Sequence, residues 1–210
     1  MLSAARARIA VLVSGGGTNL QALLDAERAG TLRSGTVALV VSNNSAAYAL
    51  TRAERAGVER AVLTRAGCGS QEGFEAALTA LLEEKEIDRI SLAGFLSILS
   101  ADFTRRYDRR ILNVHPSLIP SFCGKGFYGL RVHEAALERG VKITGATVHY
   151  VNEIPDGGRI LLQKAVAVCP DDTPETLQRR VMEQAEWIIL PQAAEMVSAN
   201  ILKKKAGRAL

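Results

Sequence analysis

The sequence predicts an α/β protein with a mixed sheet: a parallel N-terminal core, antiparallel C-terminal strands and flanking helices. Three observations predict it. Short apolar runs alternate with longer segments of helical period through the first half, the signature of strand-helix units. A glycine-rich stretch, Ser14-Gly15-Gly16-Gly17-Thr18-Asn19, separates the first apolar run from the first helical segment. Late in the chain, Thr147 to Val151 and Ile160 to Val168 read as strands only eight residues apart. No crossover helix fits such a gap, so these two pair antiparallel.

Taken in order, Ile9 to Val13 is a continuous apolar run and reads as a fully buried first strand. Leu20, Leu23 and Leu24 then share one face of a helix that Thr18 or Asn19 can cap. Val37 to Val41 forms a second strand, and Ala49, Leu50, Ala53 and Ala56 mark a helix closed by Gly57. Leu63 ends a third strand; Phe74, Leu78, Leu81 and Leu82 recur at helical spacing. Ile90 to Ala93 returns to the sheet. Ser100 caps a short helix carrying Phe103 and Tyr107, and Ile111 to Val114 follows as a strand. After the antiparallel pair, Thr173-Pro174-Glu175 is a helix start, with a capping hydroxyl and proline at the first helical position. The final helix carries Leu177, Val181 and Ile188, and Pro191 is expected to kink or end it.

Over 210 residues, 48% hydrophobic and 23% charged, the chain suffices for one substantial core, which we place at 1–198, with a basic tail over 199–210. The net charge of +4 is spread out, and its one dense run, Lys203-Lys204-Lys205, has no interleaved aromatics. It reads as a solvated end and not as a nucleic-acid patch. Cys68, Cys123 and Cys169 are odd in number and far apart, which fits neither a disulfide framework nor paired metal ligands. No segment approaches the roughly 20 apolar residues of a spanning helix. The expectation is a cytoplasmic protein without a metal, a membrane or a nucleic-acid partner.

Backbone N–H groups and the helix dipole favour an anion at the glycine-rich turn, although such a turn also serves simply to reverse the chain. A dinucleotide fingerprint needs a third glycine where Leu20 stands and an acid where Ser42-Asn43-Asn44 stands. A triphosphate loop needs Gly-Lys-Ser or Gly-Lys-Thr, and the chain has neither. A small monophosphate remains.

Asn113 and His115 alternate at the end of a strand, so both side chains face one side of the sheet. Pro116 and Pro120 stiffen the turn that follows. A carboxyl-terminal strand end is where open α/β sheets place their sites, though a histidine there is also compatible with simple packing. Asp156, in Asp156-Gly157-Gly158, lies in the connection between the antiparallel strands and is either a turn aspartate or a site residue. His149 and Thr147 share a strand face, with His149 expected at the floor of the site; His133 is expected on a helix surface.

These landmarks, together with Leu92-Ala93-Gly94-Phe95-Leu96-Ser97-Ile98-Leu99-Ser100 and Gly145-Ala146-Thr147-Val148-His149, occur in an order and spacing that resembles the small folate-dependent phosphoribosylglycinamide formyltransferases, up to about residue 198. The resemblance implies a Rossmann-like formyltransferase fold, 10-formyltetrahydrofolate as donor and the amine of phosphoribosylglycinamide as acceptor. It implies that Gly17, Thr18 and Asn19 hold the phosphate and that Glu186 contacts the acceptor. The folate contacts it implies are the backbone from Leu96 through Ser97 and Ile98 to Leu99, with the formyl group near Asn113. The protein is then a monomer or homodimer acting on two small molecules. Family members often carry an arginine for the folate tail where this chain has Gln71. The stretch Ser121 to Gly129 is longer and richer in glycine than the shortest family versions, and reads equally as a mobile lid or a surface loop.

In that chemistry the attacked carbonyl oxygen gains negative charge, for which Asn113 and protonated His115 are donors, while Asp156 favours the imidazolium and takes the amine's proton through a water. Two sister enzymes with a similar core, a formyltetrahydrofolate deformylase and a methionyl-tRNA formyltransferase, usually carry an extra domain for which this length leaves no room. A non-catalytic binding module is the remaining alternative.

Overall fold

The computed structural model describes residues 5–208, which fall into two compact units. The first comprises the residues up to Leu99 together with those from Ala194 onward; the second runs from Ser100 to Ala193.

The first unit is built from strand-helix repeats: β1 Ala7–Val13, α1 Thr18–Arg28, β2 Gly35–Ser42, α2 Tyr48–Arg55, β3 Glu59–Val62, α3 Arg65–Cys68, α4 Gln71–Glu84 and β4 Arg89–Leu92. Its strands run parallel in the order β3-β2-β1-β4. β1 lies between two neighbours, and every residue but Arg8 is buried, the environment an unbroken apolar run requires. Leu20, Leu23 and Leu24 of α1 and Phe74, Leu78 and Leu82 of α4 supply the buried helix faces. The expected cap of α1 by Thr18 or Asn19 is not the one used. Thr18 is already helical, and Gly17 is the N-cap, in the left-handed conformation with no side-chain hydrogen bond. The turn needs positive φ at that position, which glycine adopts without strain.

The second unit contains α5 Ala101–Arg106, β5 Ile111–His115, α6 Leu130–Arg139, β6 Ile143–Tyr150, β7 Ile160–Ala167 and α7 Pro174–Val181. β6 pairs antiparallel with both β5 and β7, as the short connection between β6 and β7 demands. β6 begins four residues earlier than its β-rich core suggests, because Ile143 to Ala146 find ladder partners on β7. Thr173 caps α7 in a reciprocal box with Thr176, and Arg180 forks onto Asp172, whose carboxyl is held at about 2 by that guanidinium. α7 and the segment after it pack on β6.

One expectation fails here. His133 is fully buried on α6, because that helix turns Val132, His133 and Ala136 inward. Pro191, expected to kink or end the last helix, does not end it: α8 Trp187–Arg208 runs through it. The irregularity lies upstream in a π-helical turn, Met182–Glu186, which widens the backbone between α7 and α8. Residues 199–208 continue α8, with Lys203 and Lys204 exposed and Lys205 Nζ 2.5 Å from Asp88. The last two residues of the expected tail lie outside the described ones. Among the described residues no helix is long and apolar enough to cross a membrane.

Candidate functional site

β5 delivers Asn113 and His115 to one face, and the antiparallel register sets His149 of β6 directly opposite Asn113 and Thr147 opposite His115. Asp156 arrives from the β6-β7 connection, with φ +56° in the left-handed region that aspartate tolerates better than most residues. The two glycines after it are required by close approach: a Cβ on Gly157 would lie 2.6 Å from Ile154, and one on Gly158 only 1.7 Å from the Tyr150 carbonyl. The connection is therefore folded tightly back on the end of β6, which aims the carboxylate at the histidines.

Asp156 Oδ2 lies 3.5 Å from His115 Nδ1, Oδ1 lies 3.5 Å from His149 Nε2, and Asn113 Nδ2 donates to Oδ1 at 3.4 Å. The Gly124 N–H donates to Oδ2 at 2.9 Å. Burial alone pushes the Asp156 carboxyl up, but the His149 ring, the charge on His115 and the Gly124 N–H outweigh it. Together they hold the carboxyl below the usual carboxylate range. His149 Nδ1–H donates to the Tyr150 carbonyl at 2.8 Å, and Nε2 lies 3.3 Å from Asn113 Nδ2. His115 Nε2–H donates to the Phe122 carbonyl at 2.8 Å; a carbonyl only accepts, so the proton belongs to the imidazole. His115 thus faces a carboxylate on one nitrogen and a neutral acceptor on the other.

Sequence reasoning missed the supports of this cluster. Thr147, buried on β6, donates from Oγ1 to the Ser117 carbonyl at 2.7 Å and accepts the Ile119 N–H at 3.1 Å. Gln163 Nε2 donates to Thr147 Oγ1 and to the Ile119 carbonyl, both at 3.0 Å. The turn after His115 is therefore stitched to β6 and β7, beyond what its prolines achieve. Alternation along β6 already put Thr147 on the face of His149, but only the β5-β6 register reveals its reach to Ser117. The segment from Ser121 also serves the site directly, through Phe122 and Gly124. Glu186 is buried on the π turn of the same unit.

In the first unit the glycine turn and the segment after β4 lie together. Ser14 Oγ accepts the Leu96 N–H at 2.9 Å, and Asn43 Nδ2 donates to Ser97 Oγ at 2.8 Å. Leu96 and Ile98 are exposed although apolar, while Leu99 is buried. Gln71, the first residue of α4, reaches the Ile98 carbonyl at 3.3 Å. Among the described residues no group of three or more His, Cys, Asp or Glu side chains is arranged to hold a metal ion.

Residues 7–194 match the formyl transferase family. Over 94% of its length the chain is 43% identical to the trifunctional purine biosynthetic protein adenosine-3 of Homo sapiens, of which it covers only 19%, about a fifth of that protein. It is 39% identical, again over 94% of its length, to the phosphoribosylglycinamide formyltransferase of Haemophilus influenzae, of which it covers 90%. The crystal structure of glycinamide ribonucleotide transformylase 1 from Symbiobacterium toebii superposes with a TM-score of 0.86 at 42% identity, covering 93% of this chain and 89% of that one.

Proposed function

The chain belongs to the formyl transferase family, and from that premise we propose that it transfers the formyl group of 10-formyltetrahydrofolate to the amine of N1-(5-phosphoribosyl)glycinamide in purine biosynthesis. The observation that carries the reading is the convergence of Asn113, His115 and Asp156, drawn from two separate stretches of chain onto one half-buried cluster.

The roles follow from charge. When the amine attacks the formyl carbon, the carbonyl oxygen becomes anionic and is best stabilised by donors already in place; its collapse breaks the bond from the formyl carbon to the folate nitrogen, which takes up a proton as tetrahydrofolate leaves. Asn113 Nδ2–H and His115 Nε2–H are those donors. The Phe122 carbonyl occupies His115 in this structure, so the formyl oxygen takes over the position of that acceptor during turnover. Asp156, kept ionised by its surroundings, accepts, through a water, the proton the amine loses. His149 holds Asn113 and Asp156 from the opposite strand.

The folate is assigned to the backbone of Leu96, Ser97, Ile98 and Leu99, beside exposed apolar side chains suited to a flat ring, with Gln71 in place of a cationic tail contact. Gly17, Thr18 and Asn19 are assigned the acceptor's phosphate, and Glu186 a polar contact to the acceptor. We read residues 1–198 as one formyltransferase domain of a cytoplasmic enzyme, and the match over residues 7–194 supports that extent. In the test, purified protein is mixed with both substrates and tetrahydrofolate release is followed. Release that depends on the amine is expected. Equal release without it means deformylation, and no release means a binding module.

A further inference from the structure

On the reading that the glycine turn takes the acceptor's phosphate, we propose that Arg52 is the positioning residue that makes this turn select a phosphate monoester. The carbonyls of Gly15, Gly16 and Gly17 are all turned inward. They accept, respectively, from the Ala49 N–H at 3.1 Å, the Arg52 Nε–H at 2.8 Å and the Gln21 N–H at 2.9 Å. In a planar trans peptide the N–H points opposite to its carbonyl. Pinning these three carbonyls therefore turns the N–H groups of Gly16, Gly17 and Thr18 outward. Those of Gly16 and Gly17 donate to nothing among the described residues.

Space is available beside the turn at Gly15 and Gly16. Gly15 and Gly16 are exposed, and a Cβ on either would meet no atom within 4 Å. On the inner side there is none, for a Cβ on Gly17 would lie 2.6 Å from the Ala49 Cβ. Successive N–H groups around a left-handed residue form a concavity for an anion. α2 thus acts as the back wall of the turn, with Ala49 and Arg52 one turn apart on its inner face.

Arg52 brings fixed charge as well as a hydrogen bond. Its Nη1 donates to Gln21 Oε1 at 2.9 Å, and its guanidinium lies 5.1 Å over the Tyr48 ring. Arg55 approaches the same ring at 5.8 Å and donates to the Tyr48 hydroxyl at 3.0 Å. The nearest acid in this network, Asp25, instead accepts from Gln21 Nε2 at 3.0 Å and pairs with Arg28 at 3.5 Å. Arg52 is consequently a held planar fork without a carboxylate partner among the described residues, and its charge favours a dianion over a neutral hydroxyl at the turn.

Binding of inorganic phosphate and of ribose 5-phosphate is titrated calorimetrically with wild-type protein, Arg52→Gln and Arg52→Lys, and the acceptor and folate kinetics of each are measured. Arg52→Gln should weaken both phosphate ligands about tenfold or more, with part of the loss recovered in Arg52→Lys. The KM for phosphoribosylglycinamide should rise by a similar factor, while kcat and the KM for the folate stay within about twofold. Wild-type phosphate affinity in Arg52→Gln overturns the proposal, as does a parallel fall in kcat and folate affinity. Arg52-dependent phosphate binding without formyl transfer leaves Arg52 standing and removes the functional reading. Failure of the wild type to bind ribose 5-phosphate removes both.

Discussion

Asn113, His115 and Asp156 are ordinary residues until their partners are counted. His115 is buried with one nitrogen on Asp156 and the other on a carbonyl, and the amide of Asn113 lies between His149 and Asp156. His115→Ala and Asp156→Asn should each lower kcat by about a hundredfold or more while folate affinity, followed by fluorescence, changes little. Near-normal turnover in either would move the site elsewhere. His133 shows the opposite case, a buried imidazole whose ring nitrogens have no partner among the described residues. Burial first, and then the charge on His115, lowers its pKa to about 4. Since 4 lies below the unfolded value, protonation favours the unfolded chain. The stability that neutral His133 permits is full above about pH 6.5 and is lost as pH falls towards about 4. His133→Phe removes this titration, so its chemical-denaturation midpoint should decline less than that of wild type between pH 7 and 5. Identical slopes would remove His133 from the account.

The hairpin of β6 and β7 decides where the aspartate goes. With a Cβ at Gly158 placed 1.7 Å from the Tyr150 carbonyl, Gly158→Ala forces the connection off the end of β6. It should cost about 2 kcal/mol or more in stability and also reduce kcat, because Asp156 moves with the backbone. A variant with unchanged melting temperature and kcat would show that the connection is slack. The π turn is the other irregular element of this unit. A regular helix rotates each residue by a constant angle, and one extra residue in the turn resets which face follows, leaving Glu186 buried at the junction of α7 and α8. Pro191, which reads as a breaker, sits early in α8, and the helix continues through it.

Over the molecule as a whole, the chain's end returns to the unit in which it began. Glu195 accepts the Ser34 N–H at 2.8 Å and the Ser34 hydroxyl at 2.7 Å, and a Cβ on Gly35 would lie 2.7 Å from Ser198. The part of the last helix from Ala194 onward thus belongs to the first unit's packing. Glu195→Ala should lower stability by about 1 to 3 kcal/mol, read from the urea midpoint, since it strips two donors of their acceptor. No shift in that midpoint would mean that water replaces the carboxylate without loss.

Much of this was legible in the residues themselves. The period of the apolar positions located the strands and helices, because burial of one face is a local property of spacing. The eight-residue gap after Val151 dictated antiparallel pairing, because no crossover fits in it. Alternation alone set Asn113 beside His115. What the spacing could not decide is every relation between residues distant in sequence: the register that sets His149 against Asn113, the inward face of α6 that buries His133, and the fold of the hairpin that brings Asp156 within 3.5 Å of His115. Those depend on which surfaces pack together, and packing is settled only when the whole chain has closed on itself.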